Sequence, residues 1–180
     1  MQANTRFAIG LLVSLALALT AATAEEAHRA QGPHVHGLAS LDLAWEGKVI
    51  QIGLESPAAN LVGFEHRPEA DADRAALDAA VATLKDGERL FRFSPEARCR
   101  LIEAGVESAI LEGVGAEGQE AHADLAAEYR FECAEPGQLG QVEVGLFQAF
   151  PATRSIQVQY VGPKGQAAAE LTAASPMLRL

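Results

Sequence analysis

Residues 33–66, PHVHGLASLDLAWEGKVIQIGLESPAANLVGFEH, contain the stretch that decides the fold. From His34 to Trp45 apolar and polar residues alternate, which is typical of a strand with one buried face. Glu46-Gly47-Lys48 predicts a turn, and the run from Val49 to Leu54 predicts the returning strand. The stretch therefore predicts a β-hairpin, and its inward-facing side chains are Ala39, Leu41, Leu43 and Trp45.

Histidines lie at both ends of this stretch. His34 and His36 are two apart on the predicted strand, so both point to its polar side, about 6.6 Å apart along it. Two imidazoles placed in this way can bind one metal ion, and zinc takes three or four ligands. His66 and His122 are the candidates that complete the set. Glu65 is either a further ligand or the acceptor of an imidazole N–H.

The chemistry of these donors indicates which metal is expected. Imidazoles without thiolates favour zinc, with copper(II) or nickel as alternatives, whereas calcium and magnesium prefer oxygen ligands. The alternative to a metal site is a set of exposed histidines that form hydrogen bonds with backbone or water.

The segment after the hairpin predicts a short helical turn. Ser56 is a favourable N-cap and Pro57 suits the first helical position. Gly63 predicts a left-handed residue that ends the turn. This geometry is expected to place Phe64 in the core and to leave Glu65-His66 beside the hairpin.

One long helix and one further hairpin are predicted in the rest of the chain. Pro68 marks the start of the helix, and its apolar stripe at helical spacing ends before Gly87. Strands over Cys99 to Leu111 and Leu125 to Cys133 would bring the two cysteines together near the open end of a hairpin, which predicts a disulfide. The alternative is a pair of thiolate metal ligands.

The first 24 residues predict a secretory signal peptide. Arg6 precedes an apolar run of about 13 residues, Phe7 to Leu19, and Ala22-Thr23-Ala24 is a small-residue cleavage site. The run is shorter than the ~20 residues that span a bilayer, although an uncleaved anchor is the alternative. The expected location is the periplasm, with no membrane insertion after signal cleavage.

Charge and length narrow the class of protein. The chain has 180 residues with 14 Lys+Arg and 24 Asp+Glu, so loss of Arg6 leaves 13 against 24, a net charge of −11. Such a surface disfavours nucleic acid. The remaining pattern predicts a single disulfide-stapled domain over 25–180, mainly β (α+β), with antiparallel sheets packed with one main helix and a flexible loop at about 113–124.

Several motifs resemble the bacterial periplasmic family of zinc-regulated proteins of the ZrgA type. The resemblance covers nearly the whole chain after the leader and is carried by His34-Val35-His36-Gly37, Leu54-Glu55-Ser56-Pro57-Ala58, Gly63-Phe64-Glu65-His66 with Pro68, Leu90-Phe91, the cysteine pair, and Tyr129-Arg130-Phe131-Glu132-Cys133. Such proteins often carry a long tract rich in His, Asp and Glu, whereas residues 113–124 here contain one histidine, His122. A single metal site on the hairpin is therefore expected.

The resemblance implies a secreted zinc-binding protein that assists high-affinity zinc import, by passing metal to the solute-binding component of an ABC transporter. We expect no enzymatic activity, because the sequence lacks the H-E-x-x-H signature of helix-borne zinc hydrolases. Two alternatives stay open: a metallohydrolase with Glu65 as its base, and a metal-free interaction module of the cell envelope.

Overall fold

The structure of the protein is a computed structural model that describes residues 35–112 and 124–180. The predicted signal peptide, His34 and His122 lie outside these ranges. The strands of the described part are β1 Leu38–Glu46, β2 Val49–Pro57, β3 Phe91–Phe93, β4 Cys99–Glu107, β5 Asp124–Cys133, β6 Gln141–Val144, β7 Ser155–Gly162, β8 Gly165–Thr172 and β9 Met177–Arg179. The helices are α1 Ala58–Leu61, α2 Asp71–Lys85, α3 Gly87–Leu90, α4 Ala109–Glu112 and α5 Leu146–Ala149.

Two sheets form the scaffold, as expected for a mainly β protein. The larger sheet has the strand order β4-β5-β2-β1-β7-β8, and the smaller has the order β3-β6-β9. The predicted hairpin of β1 and β2 is confirmed, with a two-residue connection at Gly47-Lys48. The prediction of antiparallel sheets needs one correction, because β1 and β7 run parallel in register from Leu38↔Ser155 to Ala44↔Val161.

The core lies between the two sheets and α2. The inward side chains of β1 are buried as predicted from the alternation, except for Trp45, which is half-buried. Phe91 packs edge-on against Tyr129 with ring centroids 4.9 Å apart, and Phe93 packs in the same way on Phe131 at 4.9 Å. The smaller sheet therefore covers the inner face of the larger one.

The β4–β5 hairpin carries the predicted disulfide. Cys99 pairs with Cys133 in the strand register and is covalently bonded to it. Cys133 is fully buried. The alternative of two thiolate metal ligands is therefore excluded for this pair.

Two predicted boundaries were wrong. The main helix starts at Asp71 rather than at Pro68, because Arg74 donates hydrogen bonds to the carbonyl oxygens of Pro68 and Glu69 and holds them outside the helix. Strand β4 ends at Glu107 rather than at Leu111. The Ser108 hydroxyl donates to the Asp124 carbonyl and accepts the Ile110 N–H, so it ends the strand and starts α4. Within the described residues, no helix is both long and apolar enough to span a bilayer.

Tyr129 gives a first testable prediction, about stability. Its side chain is 3% exposed, its hydroxyl oxygen has no hydrogen-bond partner among the described residues, and burial raises the pKa of the phenol. Because an unsatisfied buried hydroxyl costs about 1–3 kcal/mol, we expect Tyr129→Phe to raise the free energy of unfolding by about 1 kcal/mol. Urea denaturation measures this change. A loss of stability instead would reveal that the hydroxyl is hydrated.

Candidate metal centre

His36 lies in a turn immediately before β1. The prediction that His36 lies on the strand was wrong, because the strand begins only at Leu38, and the predicted pairing of His36 with His34 involves a residue outside the described ranges. Gly37 causes the break: its φ of +88° is favourable only for glycine, and a Cβ there would approach Arg154 Cδ at 3.1 Å. The direction of the His36 ring is therefore set by this turn and not by the pleat of β1.

A buried asparagine holds the turn that carries His36. Asn60, in α1 and 3% exposed, accepts the Gly37 N–H through Oδ1 at 2.7 Å. Its Nδ2 donates to the Leu38 carbonyl at 3.0 Å and to the Ser56 hydroxyl at 3.2 Å. A buried polar side chain with all these partners fixes its neighbours in one arrangement.

The other side of the turn is held by the start of β7. The Gly37 carbonyl accepts the backbone N–H groups of Arg154 at 2.7 Å and Ser155 at 3.0 Å. Both the N–H and the C=O of Gly37 are therefore paired, with segments 23 and more than 100 positions away in the sequence. The turn is part of the folded scaffold rather than a loose terminus.

The segment from Ser56 to Gly63 brings Glu65 to the same place. Helix α1 ends with N–H bonds from Val62 and Gly63 to the carbonyls of the first helical turn, and Gly63 has a φ of +88°, as predicted for a left-handed cap. The predicted Ser56 N-cap was wrong: Ser56 is buried in β2, and its hydroxyl contacts Asn60 rather than the helix N-terminus.

The structure places Glu65 beside His36. Glu65 Oε1 lies 3.3 Å from His36 Nε2, the His36 side chain is 70% exposed, and that of Glu65 is 25% exposed. The Oε1 atom itself is buried, and no group among the described residues is aligned with it as a hydrogen-bond partner. The pair is thus close enough for an ion pair but is not aligned as a hydrogen bond.

His66 is exposed and held by its own neighbours. Its ring stacks on Phe64 with centroids 4.9 Å apart, and its Nδ1 lies 2.9 Å from the Arg67 carbonyl oxygen. Phe64 is only half-buried and lies outside the core, so its predicted core position was wrong. Outside the core, the Phe64 ring packs against the His66 ring instead.

The four-histidine zinc centre stays a prediction. His34 and His122 lie outside the described residues, and residues 35–112 and 124–180 contain no group of three or more His, Cys, Asp or Glu placed to hold a metal ion. What the described part provides is two donors, the His36 imidazole and the Glu65 carboxylate. Such nitrogen and oxygen donors suit zinc and other divalent transition metals.

A separate concavity of about 1040 Å³ lies on the face of the larger sheet that is turned away from the core. Neither His36 nor Glu65 lines it. Its charged lining residues among those described are Asp42, Glu103, Glu107, Glu128 and Arg130. Four carboxylates against one guanidinium disfavour phosphate ligands, which agrees with the expectation, still a prediction, that nucleic acid is not a partner.

These features define a class: a disulfide-stapled, mainly β domain that displays a histidine–carboxylate pair beside its central strand. A family model described as ZrgA family zinc uptake protein matches residues 33–180, so the chain belongs to this family, as the sequence motifs predicted. No curated protein matches the sequence.

Asn60 is the residue of this region that sequence reasoning missed. It is the single polar residue in the apolar run Ala58-Ala59-Asn60-Leu61-Val62. This lone polar side chain in a predicted helical turn is the sequence feature that could have identified it. A buried asparagine requires hydrogen-bond partners, and that requirement indicates a structural role.

Proposed function

We propose that the protein is a periplasmic zinc-binding accessory protein, not an enzyme, that assists high-affinity zinc uptake by delivering metal to the solute-binding component of an ABC importer. The single observation that carries the proposal is the His36–Glu65 pair on a member of a zinc uptake family. His34, His66 and His122 are the proposed additional ligands. Zinc is the cargo of this protein rather than a catalyst.

The geometry of the pair suits a carrier. His36 is 70% exposed, so a metal bound there is open to a second protein that competes for it. A buried cage with four protein ligands would release its metal only after local unfolding. A hydrolase would additionally need a positioned substrate-binding cleft at the metal, and among the described candidate ligands none of His36, Glu65 and His66 lines the concavity of the larger sheet.

The proposed location follows from export features. Residues 1–24 have the pattern of a cleaved signal peptide. The Cys99–Cys133 disulfide suits an oxidising compartment such as the periplasm. Both features are compatible with a family whose members act in zinc uptake.

Replacement of the paired histidines tests zinc binding. We expect the processed wild-type protein to bind about one zinc ion, and His34→Ala/His36→Ala to lower the affinity by roughly 100-fold or more, because two of three or four ligands are lost. Competition with a chromogenic chelator measures the affinity, and native mass spectrometry measures the stoichiometry. The fifth histidine of the chain, His28, is outside the predicted ligand set, so His28→Ala is the control. Equal affinity in the double variant and the wild type would refute the proposal.

A second candidate function is a metal-free interaction module of the cell envelope. The observation that favours it is that the described residues hold no ready group of three ligands. A thermal melting temperature that responds neither to zinc nor to a chelator, together with no zinc in the native mass spectrum, would support this candidate over zinc delivery.

A further inference from the structure

We infer that Glu65 binds the metal directly, together with His36, so that the centre is a mixed imidazole–carboxylate site. This inference rests on the proposed function, since it concerns the same zinc ion. It differs from the ligand set predicted from sequence, in which the histidines supply the donors and Glu65 is secondary. Distance, hydrogen bonding and preorganisation each support it.

The first argument is the distance between the two donor atoms. Zinc–nitrogen and zinc–oxygen bonds are about 2.0–2.1 Å long, and two tetrahedral ligands of one ion are therefore about 3.3 Å apart. His36 Nε2 and Glu65 Oε1 are 3.3 Å apart. An ion can bind both atoms with little movement of either side chain.

The second argument is that Glu65 Oε1 lacks the partner that a merely orienting role requires. If Glu65 only held the His36 ring, its carboxylate would accept the ring N–H in a well-aligned hydrogen bond, as outer carboxylates do at zinc sites. Instead Oε1 is buried without an aligned partner among the described residues. A buried carboxylate oxygen in this state is stabilised by a cation that binds it.

The third argument is that both donors are already held in place. Asn60 fixes the turn that carries His36, and the end of α1 with Gly63 fixes the approach of Glu65. The adjacent His66 is held by its own contacts with Phe64 and Arg67, and among the described residues it does not join His36 and Glu65 in a group of three placed to hold a metal ion. Of the two neighbouring donors, Glu65 binds with the smaller loss of conformational entropy.

A direct carboxylate ligand changes the expected metal preference. The anionic oxygen lowers the charge of the centre and adds a hard donor, which favours zinc, cobalt(II) and nickel(II) over copper(I). The protein has no thiolate to serve as a soft ligand for copper(I), because both cysteines are in the disulfide.

Three variants test the inference in the processed protein. Glu65→Gln keeps size and hydrogen-bonding capacity but removes the anionic ligand. Glu65→His replaces one metal donor by another. Glu69→Gln, four residues away and exposed, is the control for loss of one negative charge. Zinc affinity by chelator competition and the visible absorption bands of bound cobalt(II) are the two readouts.

We expect Glu65→Gln to lose more than the roughly 10–100-fold in zinc affinity that removal of an orienting partner costs. Its cobalt(II) bands should also shift. Glu65→His should recover affinity to within roughly tenfold of the wild type, with bands shifted by the added nitrogen donor. Glu69→Gln should match the wild type in both readouts.

The outcomes separate this inference from the proposed function. If the wild type binds zinc but Glu65→Gln has its affinity and cobalt(II) spectrum, Glu65 is not a ligand and the inference is overturned alone. A spectrum unchanged in Glu65→Gln with reduced affinity, and no recovery in Glu65→His, also overturns it by assigning an orienting role. If the wild type binds no zinc at all, the proposed function fails as well. Thermal melts of all variants exclude misfolding as the cause.

Discussion

Asn60→Ala is expected to lower the free energy of unfolding by about 2–4 kcal/mol, because several buried polar groups lose their partner at once. The Gly37 N–H loses its acceptor at 2.7 Å, and the Leu38 carbonyl and the Ser56 hydroxyl lose the amide that donates to them. The bonds to Gly37 and Ser56 are buried, and the bond to Leu38 is partly buried. Urea denaturation at constant pH measures the change.

Ser56→Ala is the matched control for this experiment. It removes one hydroxyl from the same network, while the two bonds of Asn60 to the backbone of Gly37 and Leu38 remain. We expect a loss of about 1 kcal/mol or less. A loss in Asn60→Ala no larger than in Ser56→Ala would show that water replaces the amide and that the turn does not depend on it.

The same substitution is also expected to weaken zinc binding. The His36 turn and the segment that leads to Glu65 share Asn60 as their common support, so its loss lets the two donors separate. We expect a decrease in zinc affinity of roughly tenfold, measured at a temperature at which the variant is fully folded. An unchanged affinity in the destabilised variant would mean that the metal itself orders the turn.

Removal of the disulfide is the second substitution for which we expect a large loss of stability. Cys99→Ser/Cys133→Ser is expected to lower the free energy of unfolding by roughly 3–4 kcal/mol in the chain-entropy model, since the bridge joins positions 34 apart. The loss acts mainly through the unfolded chain, which gains freedom, whereas the β4–β5 register can persist. Denaturant unfolding of wild type and variant measures it.

The wild type treated with a reductant is the control for the serine substitutions themselves. We expect reduced wild type and the double variant to unfold at similar denaturant concentrations. A difference of less than about 1 kcal/mol between oxidised and reduced protein would contradict the prediction, because it would mean that the unfolded chain is already restricted in this region.

Local patterns in the sequence predicted those strands and helices whose pairing or packing partners are near them in the sequence. The β1–β2 hairpin follows from period-two alternation on either side of a short turn, and the main helix from an apolar stripe at helical spacing. The disulfide follows from two neighbouring strands, of which one begins with Cys99 and the other ends with Cys133. In each case, the residues that form the element and pair with one another lie within a few tens of positions in the sequence.

Long-range pairing could not be predicted in the same way. The parallel alignment of β1 with β7 joins Leu38 to Ser155, and no local feature of either strand specifies the other. It places β1 in the interior of the larger sheet rather than at its edge. This pairing also explains why the His36 turn departs from the strand, since the start of β7 binds the Gly37 carbonyl.

The sequence indicated where in the fold the candidate site lies, but it only partly indicated which side chains face each other there. The sequence predicted that the segment 63–66 returns to His36, and Glu65 does so. It could not decide between Glu65 and His66, because that choice depends on the stacking of His66 on Phe64 and on the direction of the chain after Gly63. The contributions of His34 and His122 stay predictions.

The hydrogen bonds that hold Gly37 also determine at which stage of folding the candidate site is assembled. Its supports come from Asn60 and from Arg154 and Ser155, so a growing or extended polypeptide has His36 but not the arrangement that presents it. A polypeptide threaded unfolded through a translocation channel would cross without an assembled centre. Metal would then be captured only on the side where folding is completed, and the zinc pool of the compartment of synthesis would be spared.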